Sequence, residues 1–130
     1  MPQRLDTWQV NMLVTGQALA AEIPAPSPQC RAWVYVTAYS VDPTNSARHG
    51  RPSKFLNADH SDVHFRLRVF EVAETDMPTV RADPLNSDYY EKDIICQDDI
   101  ASIHDLESLL CGHVAEFSLL INAVNVDYLF

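Results

Sequence analysis

Glycine is nearly missing from this chain, with three residues in 130. Without glycine clusters there is no phosphate-cradling loop and no dinucleotide fingerprint, both of which need the backbone to approach a phosphate closely. Cysteine is scarce as well. Cys30, Cys96 and Cys111 are odd in number, far apart and lack a C-x-x-C pair. That excludes a disulfide framework or a zinc ribbon and points to a reducing compartment. No stretch approaches the ~20 apolar residues of a membrane-spanning helix. Residues 10–21 have the outline of a leader, with Ala18-Leu19-Ala20 as a small-x-small site. However, Asn11, Thr15, Gly16 and Gln17 dilute the apolar run, and Asp6 offsets Arg4. The expectation is therefore a cytoplasmic protein with no membrane partner.

Positive charge is the third shortage. Nine Lys and Arg stand against 18 Asp and Glu, for a net charge of −9. The deficit is uneven: residues 1–70 hold seven basic and five acidic side chains, whereas residues 71–130 hold two basic and thirteen acidic ones. In a domain this small such charges lie little farther apart than the Debye length of ~8 Å, so they share one negative field. Such a field repels nucleic acid, whose phosphates need a basic footprint. The only basic cluster, "RHGRPSK" at 48–54, is short and has no interleaved aromatic residue.

What remains is ordinary globular material. The 47% hydrophobic and 21% charged content fits one folded domain spanning 1–130. "TWQVNMLVTG" alternates Trp8, Val10, Met12 and Val14 against Gln9, Asn11, Leu13 and Thr15 and reads as a strand ending at Gly16. "QALAAEI" reads as a helical turn or two, and the prolines of "PAPSPQ" make an extended connector. Residues 31–41, rich in aromatic and β-branched side chains, and 62–73 read as the longest strands. "KDIICQ", 92–97, reads as a short buried strand. A helix is expected over 102–111, with Ser102 as its cap, acids in the first turn and Gly112 just beyond its end. "HVAEFSLLINAV" reads as a last strand. The fold class is mainly β or α+β: about five antiparallel strands, as one sheet or a small sandwich, with one helix in the C-terminal half.

Few residues invite chemistry. In "NADHSDVHFRLRVFEV", His60, Asp62, His64, Arg66 and Arg68 share one strand face, and Val63, Phe65, Leu67 and Val69 share the other. Histidines four apart on a strand are separated by roughly 13 Å, too far to bind one metal ion together. Half-solvated strands alternate in this way whatever their function, so neither a metal nor another cofactor is expected. No G-x-S-x-G elbow occurs. Cys96 and Cys111 read as buried structural thiols. His104 and His113 flank the helix as surface or capping groups. No catalytic residue stands out, and an enzyme is not the expectation.

Two candidate surfaces follow. The first is acidic and tyrosine-bearing: Asp83, Asp88, Tyr89, Tyr90, Glu91, Asp93, Asp98 and Asp99. Tyrosine is a frequent interface anchor, and the carboxylates suit a basic protein partner. On this reading the protein is an inhibitor or immunity-type module whose acids stand in for phosphates on a nuclease-like partner. The second is a His/Arg strand face with an aromatic stripe (His64, Arg66, Arg68, Trp33, Tyr35 and Tyr39), suited to a small enzyme or ligand-binding domain. A phage or plasmid accessory protein is a further alternative, and homo-oligomerisation is compatible with any of these.

Overall fold

The computed structural model describes residues 4–40 and 63–126. Its centre is one antiparallel five-stranded sheet. The strands are β1 (Leu19–Ile23), β2 (Cys30–Ser40), β3 (Val63–Ala73), β4 (Lys92–Ile100) and β5 (Ile121–Asn122), ordered β4-β3-β2-β1-β5. Among the described residues three α-helices accompany it: α1 (Thr7–Val14), α2 (Met77–Ala82) and α3 (Ile103–Leu110). The fold is thus α+β, with one sheet among the described residues. No second sheet forms among the described residues, because the 74–91 connection folds into α2 and two 3₁₀ turns, Glu74–Asp76 and Pro84–Tyr89, instead of crossing to another layer.

The long strands β2 and β3 follow from their alternation. Val34 and Val36 on β2, with Phe65, Leu67 and Val69 on β3, point to one face, where the main core lies. There they meet Leu5 and Leu13 from the α1 region and Leu106 and Leu110 from α3. Val114, Phe117 and Leu120 complete that core. The opposite face carries a smaller one. Trp33, Phe70 and Val72 pack beneath Met77 and Val80, with Tyr35, Tyr90 and Val126 partly buried at its rim. α2 covers only one end of this second face.

Several expectations are corrected. Residues 7–14 are helical, not a strand. The alternation of Trp8, Val10, Met12 and Val14 is incidental, and the buried positions Leu5, Gln9 and Leu13 recur every four residues, a helical stripe. Gln9 Oε1 accepts from the Asp6 N–H at 2.8 Å, which steadies the first turn. Gly16 closes the helix at φ 90°. The Gly16 N–H donates to Leu13 O and the Gln17 N–H to Met12 O, a Schellman ending that favours glycine. "QALAAEI", expected to be helical, supplies β1 instead. It pairs with β2 over its whole length, from Leu19 opposite Val36 to Ile23 opposite Ala32.

The last strand shrinks to two residues. Val114, Phe117, Leu120 and Ala123 are buried at intervals of three, the period of the 3₁₀ turns that form there (Phe117–Leu119 and Ala123–Asn125), not the period of two that a strand needs. α3 forms as expected, with Ser102 Oγ accepting from the Asp105 N–H at 3.1 Å. Its end differs. Cys111 and Gly112 continue in tight turns without a left-handed residue, and the His113 and Val114 N–H groups both donate to Leu110 O. The thiols of Cys96 and Cys111 are exposed, because Cys96 lies on the outer strand and Cys111 beyond the buried stripe of α3.

Candidate functional site

β4 is an edge strand, not a buried one. Most of its residues are exposed, and Ile94 is 40% accessible. It pairs with β3 through two irregularities. Two steps along β3, Phe65 to Leu67, span three on β4, Ile100 to Gln97, so Asp98 and Asp99 together oppose Arg66. A second bulge inserts Ile94 between the partners of Val69 and Phe70. Bulges of this kind re-aim side chains and interrupt an edge that could recruit further strands. Asp99 adopts φ 59°, a left-handed conformation that aspartate tolerates better than most residues.

The bulges bring the two candidate surfaces together. The arginines of β3 and the acids of β4 are direct neighbours. Arg66 holds Asp98 with Nε and Nη2. Arg68 donates from Nε to Asp93 at 2.6 Å and from Nη1 to Glu91 at 2.8 Å. The Glu91 side chain is only 5% exposed, so it serves as a buried counter-ion and not as a docking group. Arg66 pulls the Asp98 carboxyl below the usual carboxylate range through its hydrogen bonds. Those same bonds raise Arg66. Burial disfavours the Arg68 charge, but hydrogen bonds to Glu91 and Asp93 outweigh it and hold the guanidinium above its ordinary value.

Across the other side of β3, the β2 register puts Tyr35 opposite Arg68, Thr37 opposite Arg66 and Tyr39 opposite His64. Tyr39 meets the His64 ring edge-on, with centroids 6.2 Å apart. Its hydroxyl donates to Asp99 Oδ1 at 2.5 Å and accepts from the Asp99 N–H at 2.9 Å. His64 Nδ1 lies 3.7 Å from the same carboxylate oxygen. Burial, then the bond to Asp99, raises the Tyr39 pKa, and burial alone raises that of Tyr35. Arg68 also stacks over Phe70, with its guanidinium carbon 4.4 Å from the ring centroid. Trp33 stands apart from the rest of this set: it is fully buried against Phe70 beneath α2, at 5.8 Å between ring centroids. Where α2 stops, the face opens into a cleft of about 410 Å³ lined by Thr37, Tyr39, Arg66, Asp98 and Asp99.

No protein-family model, curated protein or solved structure matches this chain.

The remaining candidates lie on the 3₁₀ turn Pro84–Tyr89 and beside it. Tyr90 turns inward to the small core, whereas Tyr89 is 87% exposed and packs edge-on against Tyr90 at 5.3 Å. Leu85, which the sequence pattern did not single out, is 95% exposed. Asp83 is exposed and accepts from Asn86 Nδ2 at 2.6 Å; Asp88 lies within the turn. His60, Asp62 and the basic cluster 48–54 fall outside the described residues. Among the described residues, no group of three His, Cys, Asp or Glu side chains is placed to hold a metal ion. Nor is any helix among them long and apolar enough to cross a membrane.

Proposed function

We infer that this protein is a binding module that docks on a basic protein partner through the segment 83–93, in the manner of an inhibitor or immunity protein. One observation carries the reading. Leu85 and Tyr89 are almost wholly exposed on a folded turn, within a segment that also contains Asp83, Asp88 and Asp93. Large apolar side chains held out in water gain nothing for the isolated chain, and an aromatic anchor ringed by polar groups is the usual build of a binding hot spot. The surrounding carboxylates would steer a basic partner and set the orientation of approach. Glu91 takes no part, since Arg68 occupies it. Asp93 contributes from its Arg68 pair, with about half of its side chain still open to solvent.

The test is capture of a basic partner by the immobilised full chain, followed by binding kinetics across a salt series. Leu85→Ala and Tyr89→Ala should speed dissociation, each costing on the order of 2 kcal/mol of affinity. Asp83→Lys combined with Asp88→Lys should slow association about tenfold at low salt, and less at high salt. Partner binding untouched by all four substitutions would defeat this reading.

A further inference from the structure

The cleft at the β4 bulge is a different object from the acidic turn, because it combines both signs of charge. We propose that it binds a small zwitterion, a molecule with an ammonium and a carboxylate group, of the free amino acid class. Asp98 occupies the side-on edge of Arg66, Nε and Nη2. The guanidinium has a second bidentate edge, formed by Nη1 and the other Nη2 proton. No described residue bonds to that edge, and Arg66 is about half exposed, so it can receive a ligand carboxylate.

Asp99 supplies the opposite charge. Its Oδ1 accepts from Tyr39, its backbone N–H donates back to the Tyr39 hydroxyl, and its side chain is 78% exposed. Its Oδ2 has no hydrogen-bond donor among the described residues and is available to an ammonium. Thr37 lines the same space with a hydroxyl that no described residue bonds, and the Tyr39 ring forms a wall. At about 410 Å³ the cleft falls in the ordinary range for small-molecule sites, roughly 300–1,000 Å³.

Charge balance selects the ligand class. Arg66 neutralises Asp98 and opposes a divalent metal or a simple cation, while Asp99 opposes a simple anion. A zwitterion satisfies both groups at once. This inference does not depend on the docking turn, and either can fail alone.

The experiment is amide NMR of the full chain, titrated separately with each of the twenty common L-amino acids, and with sodium acetate and methylammonium chloride as single-charge probes. At least one amino acid should move the Thr37, Arg66 and Asp99 amides saturably, while acetate and methylammonium leave them in place. Arg66→Gln and Asp99→Asn should each weaken that binding about tenfold or more. Asp99→Asn suits the backbone, since asparagine also tolerates the left-handed region. Arg66→Lys keeps the positive charge and guards against a misfolded glutamine variant; it should weaken binding too, because lysine has no second edge. The proposal is overturned if no amino acid binds, if either single-charge probe binds equally well, or if affinity survives in the folded variants.

Discussion

Tyr39 and Asp99, sixty residues apart in sequence, exchange two hydrogen bonds across the open end of the sheet. The phenol donates to the Asp99 carboxylate and its oxygen accepts from the Asp99 amide. The pair spans β3 and fixes the bulge of β4 against β2, so it sets the shape of the cleft. Asp99 holds its left-handed conformation with this support.

Tyr39 should therefore ionise late. Burial and the Asp99 carboxylate both favour the neutral phenol in the fold and raise its pKa. The stability this contributes is fully present below the ordinary tyrosine range and is lost as pH rises through Tyr39's own higher value. Ultraviolet titration should show late phenolate absorbance from Tyr35 and Tyr39 that Tyr39→Phe reduces without abolishing. The same substitution should lower stability by about 1 kcal/mol at neutral pH, as measured by urea unfolding.

Asp98 should behave in the opposite sense. Its hydrogen bonds from Arg66 lower the carboxyl pKa, so this pair's stabilisation is intact above the ordinary carboxylate range. That stabilisation disappears as pH falls through Asp98's depressed value. Side-chain carbonyl NMR should show Asp98 titrating below a model aspartate in the wild type and returning to the ordinary range in Arg66→Gln. The effect on overall stability should be small, because an exposed pair is screened by solvent.

Gln9 is the polar group on which the main core most depends. It is 1% exposed and donates to Phe117 O at 2.7 Å and Leu120 O at 2.9 Å. Gln9→Ala takes the side-chain donor from buried Leu120 O and one of the donors to Phe117 O, which keeps the Leu120 N–H, and should cost about 1–3 kcal/mol in denaturant unfolding. Trp8→Ala, one residue away but 45% exposed, should cost less than about 1 kcal/mol.

Leu85→Ser and Tyr89→Ser should leave the unfolding free energy within about 0.5 kcal/mol of wild type, since neither side chain is buried. Met77→Ala, beneath which Trp33 and Phe70 pack, should lose about 2–5 kcal/mol. Calorimetry on the three variants separates a surface kept for a partner from one that supports the fold. A large loss in either serine variant would place those residues in the chain's own packing.

Strands β2 and β3 and helix α3 were legible because their patterns are local: alternation over eleven residues, and a serine three residues before an acid. The β2–β3 register, which pairs Tyr35 with Arg68 and Tyr39 with His64, obeys the same alternation. α1 was hidden by a coincidence of apolar residues at even positions, although Asp6, Gln9 and Gly16 carried the helical signal. Placing the acids beside Arg66 and Arg68 depended on two bulges in β4, and a bulge leaves no period to read. Leu85 was invisible for a related reason: a lone leucine in a polar segment says nothing of which way it will point.

The long reach of Gln9 sets an order of events during synthesis. α1 has eight residues, too few to persist alone in water. The carbonyls that accept from Gln9 belong to residues 117 and 120, more than a hundred positions later. A ribosome making this chain thus releases the α1 segment long before the carbonyls that receive Gln9 exist. β1 and β2 can cover part of the α1 stripe early in elongation, but Leu106, Leu110, Phe117 and Leu120 reach Leu5 and Leu13 only near its end.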